Sequence, residues 1–167
     1  MKKGEIGQVL IEALVALGAA VAIVGAITTI VVTSLNNAEL AKNQNQATQY
    51  AQQGMEAVRE LSETDWSDFI GHNVIYYCLG QGSSNLLQAS DESPNACKWE
   101  NDIFTRQITI NHSSPDCQGD PSAPVTGSQV IVTVSWSDSK CTDHNNLYCH
   151  KVALTSCFSN INAEPTI

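Results

Sequence analysis

Between Ala13 and Leu35 the chain carries no charged side chain, and this run constrains the fold more than any other feature. About 20 apolar residues at 1.5 Å rise suffice to cross the hydrocarbon core of a bilayer, so residues 8–35 are expected to form one transmembrane helix. A single acid, Glu12, stands near its start. An ionisable side chain in lipid costs about 2.5–3.5 kcal/mol on insertion scales, so Glu12 is expected either to sit at the interface or to have a cationic partner. Cleavage after Gly7 would create such a partner. The new α-amino group of Gln8 is positive at neutral pH and lies one helical turn from Glu12, on the same chain or on a neighbour.

The stretch Lys2-Lys3-Gly4-Glu5-Ile6-Gly7, followed by Gln8-Val9-Leu10-Ile11-Glu12-Ala13-Leu14-Val15-Ala16-Leu17, closely resembles the class III signal of type IV pilins and type II secretion pseudopilins. The resemblance implies that a prepilin peptidase cuts between Gly7 and Gln8 and methylates the new amino terminus. It also implies that Glu12, at mature position five, acts in filament assembly with other pilins or pseudopilins. It covers residues 1–17 and is specific to the family rather than to one member; the family usually has Phe or Met where this chain has Gln8. Two other readings exist. In an ordinary secretory signal, Ala20-Val21-Ala22 would be the cut site, but its apolar region would normally run about 7–15 residues, shorter than the run seen here. A plain uncleaved anchor leaves Glu12 without a role.

Beyond the helix about 130 residues remain, enough for one modest domain with its own core. Losing Lys2, Lys3 and Glu5 with a leader of residues 1–7 leaves six Lys and Arg against sixteen Asp and Glu. The two lysines are the basic residues on the N-terminal side of the span, and the positive-inside tendency places that end in the cytoplasm and the domain outside. All six cysteines, Cys78, Cys97, Cys117, Cys141, Cys149 and Cys157, fall in that domain, where an oxidising compartment would let them pair. Many pairings are open to six cysteines. Proximity favours Cys78 with Cys97 and Cys141 with Cys149, which leaves Cys117 for Cys157. The competing use of these thiols is zinc, because Cys141, His144, Cys149 and His150 lie within ten residues and could ligate Zn²⁺ tetrahedrally. The even cysteine count and the outside location favour disulfides, so no metal and no cofactor are expected.

The helix has no stop signal at Leu35. Leu40, Ala47, Tyr50, Ala51, Gly54, Met55, Val58 and Leu61 recur at threes and fours among polar residues, so an amphipathic continuation is expected to about Ser62, roughly 80 Å in all. Gly18, Ala22, Gly25 and Thr29 place small residues where another helix can approach closely. After Trp66 the pattern turns to strands: Val74–Tyr77, Phe104–Ile110 with Phe104, Ile108 and Ile110 on one face, the alternating Val130, Val132, Val134 and Trp136, and Val152 with Leu154. Alternation implies an antiparallel sheet with one buried face, whose partner is the stripe on the helix. Loops at residues 80–95 and 112–129 are rich in Ser, Pro, Gly and Asp and are expected to be exposed.

The expected fold class is therefore α+β: a long N-terminal helix laid on an antiparallel sheet with disulfide-stapled loops. That layout looks pilin-like, and the stretches 54–59 and 129–136 resemble the minor-pilin and pseudopilin branch. Its parts are a leader at 1–7, a transmembrane and assembly helix at 8–35, and an extracytoplasmic domain at 36–167.

Enzymatic motifs are missing: there is no Gly-x-Ser-x-Gly elbow, no phosphate-binding glycine loop and no His-Glu-x-x-His. The acidic balance argues against a broad nucleic-acid surface, leaving at most a small patch from Arg106, Lys140 or Lys151. Asn111-His112-Ser113 is a glycosylation-type triplet that suggests an exposed loop. The expected function is a structural, non-enzymatic filament subunit, minor-pilin-like, whose partners are the peptidase, other pilins and the membrane. The alternative is a single-pass anchored domain that binds a ligand without assembling.

Overall fold

A computed structural model of the chain describes residues 5–72, 76–80, 86–88, 94–97, 103–118, 127–138, 141 and 148–160. The chain divides into two units, Met1–Lys42 and Asn43–Ile167.

The described part of the first unit is helix. Helix α1 spans Glu5–Thr64 and is long and apolar enough to cross a membrane by length and composition. Its large apolar side chains here face outward, from 49% exposed at Val31 to 68% at Ile30. A helix that is apolar all round has no face prepared for water.

From Asn43 onward α1 belongs to the second unit, and its character changes. Asn43, Ala47, Ala51, Gly54, Met55, Val58 and Ser62 are buried, a stripe at threes and fours that matches the helical period. Leu40, Tyr50 and Leu61 from the expected stripe are half-buried. At the end of α1 the break expected near Ser62 is a short corner rather than the start of strand structure. Asp65 caps helix α2, Trp66–Gly71, by accepting the Asp68 N–H at 2.9 Å. Phe69 on α2 is fully buried, against Trp66, His112 and Phe158.

The sheet has five antiparallel strands in the order β2-β1-β3-β4-β5. They are β1 Tyr76–Cys78, β2 Leu87–Gln88, β3 Phe104–Asn111, β4 Gly127–Trp136 and β5 His150–Ser159. Residues 74 and 75 of the first expected strand lie outside the described residues. Both expected loops contain structure: β2 and a 3₁₀ turn, Pro94–Cys97, in the first, and helix α3, Pro115–Gln118, with the start of β4 in the second. Proximity of α3 to β4 is tight enough that a Cβ on Gly127 would run into the Cys117 carbonyl oxygen.

The inner face of the sheet is built from alternate residues. Phe104, Ile108 and Ile110 of β3 stand opposite Trp136, Val132 and Val130 of β4, and the four aliphatic members of this set are fully buried. Each such side chain contributes about 1.5–3 kcal/mol on transfer from water. Helix α1 covers this face, with Tyr50 edge-on to Phe104 at 5.3 Å and Arg59 over the Phe158 ring at 6.0 Å. On β5 cover is thinner: Val152, Leu154 and Ser156 are half-buried and alternate with exposed Lys151, Ala153, Thr155 and Cys157.

Candidate functional site

The N-terminal residues come first. Gly7, Gln8 and Glu12 all lie within α1. Gln8 and Glu12 are exposed, and four residues of helix set them one above the other on one face. Further along, Thr28 Oγ1 donates to Val24 O at 2.8 Å, Thr29 Oγ1 to Ala26 O at 2.8 Å, and Thr33 Oγ1 to Thr29 O at 2.9 Å. These threonines bond to their own helix, a common way to keep a hydroxyl in an apolar segment. α1 runs unbroken through Gly25, Thr28 and Thr29. A Cβ at Gly18 or Gly25 would meet nothing within 4 Å, so no contact among the described residues requires glycine there.

In the domain, Arg106 departs from the expectation of a surface cation. It is only 6% exposed because its β3 position shares the inward register of Phe104, Ile108 and Ile110. That alternation placed it inside and was the signal that could have found it. Its Nε donates to Leu79 O at 2.9 Å, Nη1 to Tyr50 O at 3.0 Å, and Nη2 to Gly80 O. The guanidinium thus ties α1 to the strand end after β1 through three main-chain acceptors. Burial pushes its pKa below the ordinary arginine value, against a smaller raising effect of Tyr50. Arg106 is withdrawn from any phosphate-binding patch, Lys140 lies outside the described residues, and Lys151 is exposed on β5.

The Asn111-His112-Ser113 triplet is not a free loop. Asn111 ends β3 and its Oδ1 accepts the Ser113 N–H at 2.9 Å, while His112 is buried. His112 Nδ1 faces Ser128 Oγ and Nε2 lies 2.8 Å from His72 O. Nε2 must then carry the proton and Nδ1 accept from the serine. Burial lowers the His112 pKa, opposed by hydrogen bonds to the His72 and Ile70 main chain. Ser128 is fully buried, so the pair packs inside the domain.

All six cysteines are bridged, Cys78–Cys97, Cys117–Cys157 and Cys141–Cys149, the pairing that proximity favours. The third bridge lies in a small polar cluster. Cys141 N–H donates to Asp138 O at 3.1 Å, closing a turn after β4. His150, first residue of β5, has Nε2 2.9 Å from Asp138 Oδ2 and its ring stacked on Trp136 at 5.4 Å. One ligand atom from each of Asp138, Cys141, Cys149 and His150 lies within 4.8 Å of the others. His144, the fourth member of the zinc set read from sequence, lies outside the described residues. Asp138 was not anticipated, because a turn aspartate three residues before a cysteine carries no distinctive spacing.

These features define a class: an α+β protein with one membrane-compatible helix continuing into a disulfide-bonded antiparallel domain. Comparison with protein-family models, with curated proteins and with solved structures finds no match, so this arrangement of side chains has to carry the functional reading.

Proposed function

We propose that the chain is a structural subunit of a type IV pilus or pseudopilus, made as a precursor and cut between Gly7 and Gln8. The observation that carries this reading is the placement of Gln8 and Glu12 one turn apart on a helix whose next 26 positions carry no charge. Cutting after Gly7 gives Gln8 a cationic amine, and Glu12 is the acid within reach of it, on the same chain or on a neighbouring helix. Pairing neutralises two charges that apolar surroundings penalise separately. Two further features support the reading. Gly18 and Gly25 leave open surface where a second helix can approach closely, and the outward apolar surface of residues 8–35 needs either lipid or other helices to cover it. The pilin-like fold, the minor-pilin character and the placement of the domain outside the cytoplasm belong to the same proposal.

The test is the intact mass and N-terminal sequence of the membrane-extracted protein under non-reducing conditions. The expected product begins at Gln8, carries a methylated amine and lacks six thiol hydrogens. A product that keeps Met1, or one that begins after Ala22, overturns the proposal and returns the chain to an anchored or secreted domain.

A further inference from the structure

We propose that the β4–β5 connection is also a zinc site in its reduced form, with Asp138, Cys141, Cys149 and His150 as ligands, so that metal and disulfide are alternative closures of one loop. Every chain is synthesised with free thiols, so Cys141 and Cys149 pass through a reduced state before they are bridged.

The geometry gathers two sulfurs, an imidazole nitrogen and a carboxylate oxygen, four donors of the kinds zinc takes. Bond lengths of about 2.3 Å to sulfur and 2.0–2.2 Å to nitrogen and oxygen put the ligand atoms of a tetrahedral zinc about 3.3–3.8 Å apart. The four atoms here already lie within 4.8 Å of one another. Two of them sit on fixed strand ends. His150 is held by its stack on Trp136, and Asp138 follows β4 by two residues and is joined to Cys141 by the turn. Opening the S–S bond moves the two sulfurs apart, toward the spacing the metal needs.

A second observation points to the same use. The Cys141 sulfur accepts two main-chain N–H groups, from Cys149 at 3.3 Å and from Asp138 at 3.5 Å. Donors aimed at a sulfur favour its charged form, and a thiolate is what a metal binds. Among the described residues, neither of the other two bridges lies in such a set.

The chemistry balances without a hidden partner. The two thiols lose one proton each as Zn²⁺ binds. Later closure to the disulfide removes two electrons from the two thiolates, passes them to a disulfide oxidant, which becomes a dithiol by taking up two protons, and releases Zn²⁺. Reduction by a dithiol runs the same steps backwards.

The experiment uses the full chain in detergent, reduced with a phosphine under anaerobic conditions and desalted. Zn²⁺ is added in one arm and Co²⁺ in another, and iodoacetamide labelling of each cysteine is read by peptide mass. The expected result is one metal per chain, cobalt spectra of tetrahedral thiolate type, and selective protection of Cys141 and Cys149 while the other four thiols alkylate. Oxidised protein should bind no zinc. His150→Ala and Asp138→Ala should each weaken zinc by more than the roughly 10–100-fold typical of losing an outer-shell partner, and Cys141→Ser with Cys149→Ser should abolish it. The proposal is overturned if reduced protein takes up no metal, if protection is spread over all six thiols, or if the His150 and Asp138 variants bind as the parent does. Because labelling is resolved by residue, these outcomes stand even if reduction loosens the rest of the domain.

Discussion

Arg106 crosses the face of α1 at Gly54: a Cβ built on that glycine would lie 2.9 Å from Arg106 Cδ and 2.9 Å from Val132 Cγ1. Glycine in a helix interior costs about 1 kcal/mol relative to alanine, so the position gives up helix propensity to admit a buried cation. Gly54→Ala recovers that propensity but forces apart a β-branched core residue and the stem of a tethered arginine, an overpacking that costs about 1–3 kcal/mol. The expected balance is net destabilisation, read as a lower urea midpoint by tryptophan fluorescence. A raised midpoint would show that the helix and sheet separate more easily than these distances imply.

Arg106 itself should tolerate little. Arg106→Lys keeps the charge but cannot reach Leu79 O, Tyr50 O and Gly80 O with one ammonium as the planar fork does. Tyr50 O keeps its place in the α1 ladder, but the carbonyls after β1, if left buried without donors, cost about 1–3 kcal/mol each. Arg106→Lys is therefore expected to destabilise the domain by about 2–4 kcal/mol, with hydrogen exchange speeding up first around residues 76–80.

The burial of His112 makes stability depend on pH. Its folded-state pKa is lowered from 6.5, chiefly by desolvation, so the folded protein binds this proton less readily than the unfolded chain. The contribution is complete above pH 6.5 and is lost as the pH falls through the lowered folded value. Urea midpoints should therefore drop as the pH falls below about 6.5, and His112→Gln should flatten that part of the profile. An unchanged slope in the variant would assign the dependence to other groups.

The three bridges should differ in worth by the loops they close. Sequence separations are 40 residues for Cys117–Cys157, 19 for Cys78–Cys97 and 8 for Cys141–Cys149. The chain-entropy relation then gives about 4, 3 and 2.5 kcal/mol. Paired Cys→Ser variants ranked by thermal midpoint should follow that order, with Cys117→Ser and Cys157→Ser lowest. A reversed ranking would mean that strain or residual structure outweighs loop length.

If the chain assembles as proposed, Glu12→Ala should leave the protein inserted and folded, since Glu12 is exposed and belongs to Met1–Lys42 whereas the buried core belongs to Asn43–Ile167, yet sharply reduce its recovery in sheared filaments. Removing one partner of a buried charge pair costs about 3–5 kcal/mol, more than about a hundredfold in an assembly equilibrium. Normal recovery of the variant would remove the charge pair from the mechanism while leaving cleavage after Gly7 open.

How far the sequence could be read depended on period. The stripe from Ala47 to Val58 and the alternation from Val130 to Trp136 announced a helix face and a strand face, because each repeats over enough residues to exclude the other period. The elements that escaped notice are short. Helix α2 rests on the Asp65 cap and one buried ring, Phe69, and β2 is two residues long; neither offers a repeat. Arg106 and His112 were misread for another reason. Charge and a turn-like neighbourhood suggest exposure, whereas the β3 alternation puts Arg106 inside, and the main-chain acceptors that satisfy Arg106 and His112 there are brought together only in the folded chain. The Asp138 side of the cysteine cluster gives no sequence signal, because its partner His150 lies twelve residues away on the next strand.

The hydroxyls of Thr28, Thr29 and Thr33 carry a last consequence. Each spends its proton on a carbonyl of its own helix, so none asks anything of whatever surrounds the segment. A helix satisfied in this way can exchange lipid tails for protein neighbours, or one neighbour for the next, without breaking a hydrogen bond at these positions. If the chain assembles as proposed, passage between the two settings is governed by fit along Gly18 and Gly25 and by the single acid at Glu12, and the rest of the segment travels as an indifferent passenger.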